Sequence, residues 1–402
     1  MRHGVRPGAM ALLLVGTLGI STGFGMVLLL PLYVQELGGD EANFGVILAS
    51  ATVTAVVCIG TLIRYPDMLR PHTVVALAIV IYASGVLGAA LVTESWTPLI
   101  GVGVLLGTAW AVVYTATPMV MSEMVTDDGR TTYFGYLTGT QQIGIGSGPV
   151  TAGLLIDAGI GLRGVFTIAG VICLFAAIAT LLVGRLTPDS KRSQRNENDD
   201  PTVTIGFSAA LRRIVGSEAI YSLVIIFLFA CLFTSMTQFQ ATFASARGLD
   251  YAFFFVSYTV AVIFSRFVLA GFAGRFDTQL VIAVSVSVTA VATASFLLVG
   301  SSTVLYALAA LCLGLGYGLA LPTAQAQAVN VSGEAVRPRV LPMAGLFFQT
   351  AILAFPLVAG AVISGFGYEA LFAVLVGLAL IQVVIVWWRL WAKRRSGEIS
   401  WG

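Results

Sequence analysis

The chain has 402 residues, of which 58% are hydrophobic and only 10% charged, and its mean hydropathy is +0.95. Soluble domains have roughly 45–50% apolar and about 25% charged residues, so this composition excludes an ordinary soluble protein and indicates a membrane protein with several spans. The net charge is +2, with basic residues scattered singly between apolar blocks, and no nucleic-acid-binding face is expected. The four cysteines form no CxxC pair, so neither a disulfide framework, a metal site nor another cofactor is expected.

Twelve apolar blocks are long enough to cross a bilayer, which takes about 20 residues each. They lie near residues 9–34, 44–63, 73–93, 97–121, 133–156, 163–185, 218–244, 252–273, 279–299, 302–328, 340–364 and 367–390. The first block follows a basic start but has no cleavage site after it, which favours a transmembrane helix over a signal peptide. The longest polar interruption predicts two six-helix domains, 1–185 and 218–402, joined by a linker at 186–217.

The distribution of Lys and Arg predicts the orientation. If the N-terminus is inside, all but three of the 21 basic residues fall in inner segments, and the three exceptions are Arg163, Arg247 and Arg266. Positive charge concentrates on the cytoplasmic side of membrane proteins. Both termini and the linker are therefore predicted to be cytoplasmic, and the compact loops favour a bacterial inner membrane.

The two halves of the sequence repeat each other. A shift of 207 residues superposes Gly107 on Gly314, Trp110 on Tyr317, Arg130 on Arg337, Gln142 on Gln349 and Pro149 on Pro356. A shift of 210 superposes Gly38 on Gly248, Phe44 on Phe254 and Asp67 on Asp277. Two six-helix halves of the same orientation are a known transporter plan.

The fifth predicted helix contains the run GTQQIGIGSGPVTAG, from Gly139 to Gly153. Glycines allow close helix packing in lipid, and Pro149 removes a backbone hydrogen bond and is expected to bend the helix. The run resembles the G-x8-G-P-x-x-G-G signature of twelve-helix drug and metabolite antiporters of the major facilitator superfamily, with Ala152 replacing one glycine. Gly139, Gly148, Pro149, Gly153 and the repeat-equivalent Pro356 are the candidate packing and conformational residues.

The resemblance implies an all-α integral membrane fold of two pseudo-symmetric six-helix bundles that work by alternating access. In the family, the loop between helices two and three carries an Asp that helps to latch the cytoplasmic side, whereas Arg64 and Gly274 occupy that position in the two halves here. Asp67 and Asp277, three residues later, are candidate substitutes. The candidate gate residues are Arg64, Asp67, Arg130, Arg275, Asp277 and Arg337.

Proton coupling has no clear sequence signal. Where the family carries a helix-four Arg linked to coupling, this chain has Gly103, and no carboxylate lies near the predicted midplane of any helix. A proton relay usually needs an intramembrane carboxylate or imidazole. Protons therefore stay a candidate coupling ion that the sequence does not assign.

Polar and aromatic side chains inside the predicted helices are expected to outline a central cavity. Arg266 is the one charge inside a helix, and such a residue marks function or a buried pairing by default. Carboxamides present donors and acceptors without a charge. The candidate substrate-binding residues are Trp110, Tyr114, Gln142, Gln238, Arg266, Tyr317, Gln325 and Gln349. For any one of them, hydrogen bonding between helices or anchoring at the interface is the alternative.

These features predict a secondary transporter that exports a small amphiphilic or polar organic compound, a drug or a metabolite. An importer or facilitator of a polar nutrient and a non-transporting receptor or scaffold are the alternatives. The chain has only two lysines and no Walker A run, so ATP-driven transport is excluded, and no catalytic constellation indicates an enzyme. The expected partners are the small-molecule substrate and the lipid bilayer, and the protein is expected to be a monomer.

Overall fold

The computed structural model describes residues 7–64, 70–125, 130–186, 213, 216–332 and 337–395. Throughout these residues, every regular element is helical. The helices are α1 (Pro7–Val27 and Leu30–Glu36), α2 (Glu41–Ala49 and Thr52–Arg64), α3 (Pro71–Leu91), α4 (Leu99–Met124), α5 (Arg130–Asp157), α6 (Leu162–Leu186), α7 (Ala219–Gln238 and Gln240–Arg247), α8 (Ala252–Phe264, a π-helical turn Ser265–Leu269, and Ala270–Ala273), α9 (Thr278–Ser295 with a 3-10 turn Phe296–Leu298), α10 (Thr303–Asn330), and α11 with α12, which together occupy Arg337–Arg395.

Twelve helices account for the membrane-spanning part of the described chain. Ten stretches of the described residues are long and apolar enough to span a membrane, and one of them, Pro342–Arg395, contains two helices. They divide at Gly367, whose φ of 85° and ψ of 176° lie in a region that is essentially restricted to glycine. α5 is less apolar because of its Gly, Thr and Gln residues, but its 28 residues extend about 42 Å at 1.5 Å per residue. The predicted fold class, an all-α integral membrane protein with twelve helices, is confirmed.

Three of the predicted helices are interrupted. α1 breaks after Val27 and resumes at Leu30, where Pro31 in the first turn lacks an amide donor. α2 breaks between Ala49 and Thr52, and α7 breaks at Phe239, whose φ of −103° and ψ of 7° are not helical. The apolar blocks of the sequence extend across all three positions, so hydropathy alone predicts them as continuous.

The chain forms two units by its internal contacts. The first unit comprises Met1–Gly38 and Val46–Gly206, and the second comprises Gly39–Gly45 and Phe207–Gly402. In the first unit, α1 packs against α5 and α6, α3 packs against α4 and α6, and the second segment of α2 packs against α4. In the second unit, α10 packs against α7, α8 and α9, while α7 and α9 also pack against the helix pair α11–α12. Of the predicted linker 186–217, only residues 186, 213, 216 and 217 are described.

The segment Gly39–Gly45, which includes the start of α2, belongs to the second unit, where it forms hydrogen bonds with α11 and α12. The amide of Ala42 donates to the Ser364 hydroxyl at 3.0 Å. The Tyr368 hydroxyl donates to the carboxylate of Glu41 at 2.6 Å. Sequence repetition gives no indication of this grouping.

Glycines allow α1 and α5 to approach closely within the first unit. A methyl group at Gly148 would stand 2.5 Å from the Cα of Gly25, and one at Gly144 would stand 2.6 Å from the Cβ of Ser21. Real Cβ atoms do not come this close to backbone atoms, so the contact requires glycine. Close approach of this kind is how helices associate in lipid.

Ion pairs connect α7 and α12 at both ends of the second unit. Just before α7, Glu218 accepts from Arg389 at 3.0 Å and from Lys393 at 2.9 Å. The hydrogen bond from Lys393 is the main reason why the pKa of Glu218 lies below its ordinary value. At the other end, Arg247 pairs with Glu369.

Candidate functional site

Four aromatic side chains form a cluster in the first unit, called here the first-unit aromatic cluster: Phe24, Tyr82, Trp110 and Tyr114. The rings of Trp110 and Phe24 are stacked, with centroids 3.9 Å apart and an interplanar angle of 19°. The rings of Tyr82 and Tyr114 lie 6.4 and 6.5 Å from that of Trp110. The hydroxyl of Tyr82 is buried and makes no hydrogen bond within the described residues. The cluster therefore combines aromatic faces with a polar group that has no protein partner among those residues.

A larger group of rings, the second-unit aromatic cluster, consists of Phe229, Phe233, Tyr258, Tyr317 and Phe348. Tyr317 is stacked against Phe229 at 5.0 Å and against Phe233 at 4.5 Å. Phe348 stacks on Phe233 at 6.2 Å, and Tyr258 lies 5.8 Å from Tyr317. The Tyr258 hydroxyl is buried without a hydrogen-bond partner in the described part of the chain.

Close packing of α8 on α10 positions Tyr258 and Tyr317. A methyl group at Gly318 would stand 2.6 Å from the Cβ of Ser265, and one at Gly314 would clash with the backbone oxygen of Tyr258. The Ser265 hydroxyl donates to the backbone oxygen of Leu315 at 3.0 Å, which connects the two helices at the same level. Small residues in α10 thus place the Tyr258 and Tyr317 rings in contact.

Arg266 occupies the π-helical turn Ser265–Leu269 of α8. Its side chain is half-buried, and its Nε atom is buried without a hydrogen-bond acceptor among the described residues. The ion pairs between described residues join other cations to Glu218 and Glu369, and none of them includes Arg266. π-helical turns occur frequently at functional sites, and this one carries a charged side chain inside the span Ala252–Ala273, about two turns before its end.

Gln349 is the most deeply buried of the predicted substrate-binding residues. It follows Phe348 in α11, its exposed fraction is 2%, and both polar atoms of its carboxamide lack hydrogen-bond partners in the described residues. Gln238, the last residue before the break in α7, is also buried. Gln142 on α5 and Gln325 on α10 are half-buried. Of the eight predicted residues, Trp110, Tyr114 and Gln142 lie in the first unit and the other five in the second.

The predicted gate residues are only partly described. Arg275 is exposed, and its guanidinium lies 5.8 Å from the ring centroid of Phe272. Asp277 caps α9, because its carboxylate accepts from the amides of Gln279 at 2.9 Å and Leu280 at 3.1 Å. The remaining gate candidates lie outside the described residues, either as whole residues or in their side chains: Arg64, Asp67, Arg130 and Arg337.

The residues of the predicted packing motif lie inside helices. Gly139, Gly148 and Pro149 are buried in α5, and Gly153 is half-buried. Pro356 is buried in α11, where its backbone oxygen meets the position of Gly45 in the second unit. α5 continues as a helix through Pro149.

Sequence reasoning missed several members of the aromatic clusters. Phe24, Phe229 and Phe233 resemble any other phenylalanine of an apolar helix. Tyr82 and Tyr258 carried a usable signal, because a tyrosine in the middle of an apolar block needs a partner for its hydroxyl when it is buried.

The shared chemical feature of these groups is unsatisfied hydrogen-bonding capacity beside aromatic surface. The large majority of buried side-chain polar atoms in proteins have a partner, and those without one require a specific explanation such as a bound water or ligand. A donor or acceptor left unpaired in a low-dielectric environment costs about 1–3 kcal/mol. The arrangement is suited to reversible binding of a solute. Within the described ranges, no group of three or more His, Cys, Asp or Glu residues is placed to hold a metal ion.

The family model of the Major Facilitator Superfamily matches residues 10–351, which is most of the chain. The chain belongs to the Major Facilitator Superfamily. It is therefore a multi-pass membrane protein from a family of transporters, as the sequence predicted. A comparison with curated protein sequences gave no match.

Solved structures of other transporters share the fold. The nucleoside transporter NupG aligns with a TM-score of 0.72 and 18% identity over 95% of this chain and 98% of its own. A bacterial homologue of the human lysosomal transporter Spinster aligns with a TM-score of 0.72 and 16% identity over 99% of this chain and 100% of its own. The human organic anion transporter MFSD10 (TETRAN) aligns with a TM-score of 0.67 and 17% identity over 95% of this chain and 100% of its own. At these identities, the likeness concerns the fold alone.

Proposed function

We propose that this superfamily member is a secondary transporter that exports a small amphiphilic or polar organic compound by alternating access, with protons as the exchanged ion. It acts in a bacterial inner membrane with both termini in the cytoplasm, as the distribution of Lys and Arg favours. The Gly139–Gly153 run supports export over import, because its spacing is similar to that of the drug and metabolite antiporters. The solute-binding residues are the eight polar and aromatic residues predicted from sequence: Trp110, Tyr114, Gln142, Gln238, Arg266, Tyr317, Gln325 and Gln349.

The observation that carries the proposal is the carboxamide of Gln349. It is 2% exposed and has no hydrogen-bond partner among the described residues. A glutamine that only stabilised the fold would use its carboxamide within the protein, as Gln382 does in part. Its Nε2 donates to the backbone oxygen of Ile225 at 2.9 Å, whereas its Oε1 has no partner among the described residues. The carboxamide of Gln349 has a donor and an acceptor available for a solute.

The aromatic clusters account for the amphiphilic part of the proposed substrate. Phe233, the one half-buried ring of the second-unit aromatic cluster, provides flat apolar surface, and a tyrosine hydroxyl adds a polar group nearby. Ligand sites commonly combine mostly apolar walls with a few placed polar groups. A solute with both characters is the best match.

Two matched substitutions test this role. Gln349→Leu removes an unpartnered polar group and is expected to leave the melting temperature of the purified protein unchanged or higher, while stabilisation by any compound found in a screen of metabolites and drugs is lost. Gln382→Leu is the control: it removes a hydrogen bond within the protein, costing about 1 kcal/mol, and should keep compound-induced stabilisation. If Gln349→Leu lowers the melting temperature as much as Gln382→Leu and leaves compound binding intact, the proposed site is wrong.

A further inference from the structure

We propose that the transported compound is an organic anion, with a carboxylate or sulfonate that binds Arg266 and a flat apolar part that contacts the second-unit aromatic cluster. This inference rests on the proposed function and specifies its substrate class. It begins with the charge of the second unit, where Arg266 has no counter-charge among the described residues.

The described carboxylates of the second unit all have other partners. They are Asp40 with Asn43, Glu41 with Tyr368, Glu218 with Arg389 and Lys393, Asp250 with the amide of Ala252, Asp277 with the amides of Gln279 and Leu280, and Glu369 with Arg247. None of these partners is Arg266, and no described acid forms an ion pair with it. An arginine in the middle of a helix costs roughly 2.5–3.5 kcal/mol on insertion scales, and a neutral ligand would leave its charge uncompensated.

Two unpartnered donors belong to α8, the helix that carries Arg266. The Nε–H of Arg266 and the O–H of Tyr258 are both buried without an acceptor among the described residues. Tyr258 precedes Arg266 by eight residues, about two turns of α8. A carboxylate or sulfonate supplies several acceptor oxygens and a negative charge, so it can satisfy a guanidinium and a hydroxyl together.

The backbone around Arg266 is held against α10. Ser265, its neighbour in the π-helical turn, donates to the oxygen of Leu315 and sits against Gly318. Tyr317 lies between these two α10 positions, and its ring is 5.8 Å from that of Tyr258. The same helix crossing thus holds the turn that carries Arg266 against the part of α10 that carries Tyr317, and we expect a substrate with a charged group and a flat one to fit there.

A second source of counter-charge is a lipid phosphate. Phe264, Phe267 and Val268, which flank Arg266 in α8, are exposed. A long arginine side chain can extend to a headgroup. That arrangement would make Arg266 an anchor in the bilayer, and replacing Arg266 would then matter only when phosphatidylglycerol is present.

The test uses three matched acid and amide pairs: indole-3-acetate and indole-3-acetamide, benzoate and benzamide, and naphthalene-2-sulfonate and naphthalene-2-sulfonamide. Thermal stabilisation of the purified full-length protein is measured in detergent, with and without added phosphatidylglycerol. For the wild type, at least one acid is expected to stabilise the protein at lower concentration than its amide. Arg266→Gln should weaken the acid about 10- to 100-fold, the range for a hydrogen bond to a charged group, and Arg266→Lys should restore part of the effect.

Arg395→Gln is the control, because Arg395 is the last described residue of α12, where its guanidinium lies over the ring of Trp391 at 4.1 Å. It should leave acid binding unchanged. The inference is overturned if no acid stabilises the wild type, if acid and amide act equally, if Arg266→Gln keeps the acid effect, or if Arg266 matters only when phosphatidylglycerol is present. Equal binding of acid and amide that is abolished by Gln349→Leu would leave the proposed function standing while the anion inference fails.

Discussion

Charged side chains near the ends of the second unit's helices are used mainly to hold those helices in place. Glu218 binds Arg389 and Lys393, and Arg247 binds Glu369. Asp277 belongs to this group through its bonds to backbone amides at the start of α9. The gate role predicted from sequence needs the negative charge of Asp277. Its observed role as a helix cap needs only a side-chain oxygen that accepts hydrogen bonds.

Asp277→Asn and Asp277→Ala separate these roles. Asparagine caps a helix about as well as aspartate, whereas alanine at such a position costs about 0.5–2 kcal/mol. Thermal unfolding of the purified variants is therefore expected to show wild-type stability for Asp277→Asn and a lower melting temperature for Asp277→Ala. If only the cap matters, Asp277→Asn also transports normally. Loss of transport by a stable Asp277→Asn protein would show that the negative charge is needed, as the gate hypothesis requires.

The polar residues proposed for the site could be chosen from the sequence, whereas most of the rings around them could not. Arg266 and Gln349 stand out in a sequence because a charge or carboxamide inside an apolar block is expensive. The phenylalanines that stack beside them do not, because hydropathy treats a lipid-facing ring and a buried ring alike. The hydroxyls of Tyr82 and Tyr258 lack a partner within the described residues. That property depends on three-dimensional packing, so no sequence pattern predicts it.

At the scale of helices, the contact between α1 and α5 depends on the absence of side chains. Gly148 meets the backbone of Gly25, and Gly144 meets Ser21 and Leu18. The glycine run weakens α5 as an isolated helix, but it allows α5 to pack closely against α1.

Gly148→Ala and Gly135→Ala test this contact in a single helix. A methyl group at Gly148 would stand 2.5 Å from the Cα of Gly25, whereas one at Gly135 meets no described atom within 4 Å. Overpacking of this kind costs about 1–3 kcal/mol, so thermal unfolding in detergent should show a lower melting temperature for Gly148→Ala. Gly135→Ala should match the wild type or exceed it, because alanine favours the helix. Equal melting temperatures for the two variants would contradict close packing at Gly148.

The positions of the helices were predictable from apolar length, and their breaks were not. The division at Gly367 falls at the predicted boundary between the last two blocks, because a glycine there adopts a backbone conformation closed to other residues. The break at Phe239 lies inside an apolar block with no Gly or Pro beside it, so the sequence gives no local signal.

The whole molecule combines a repeated sequence with two six-helix units and the fold of a transporter superfamily. The repeat that relates Gln142 to Gln349 and Trp110 to Tyr317 predicted polar and aromatic groups in both halves. Each unit contains such a group, with a hydroxyl beside stacked rings that has no partner in the described chain. Symmetry and hydropathy predict this level of organisation well because they depend on the type of residue rather than on detailed contacts.

Export is the central claim, and accumulation in membrane vesicles of opposite orientation tests it most directly. Everted and right-side-out vesicles from the same expressing cells are given a compound that stabilises the purified protein, and internal compound is measured by mass spectrometry. Everted vesicles are expected to accumulate it above vesicles without the protein, and nigericin, which dissipates the pH gradient, should abolish the difference. Accumulation only in right-side-out vesicles, equilibration that is independent of the gradient, or no uptake in either orientation would contradict proton-coupled export.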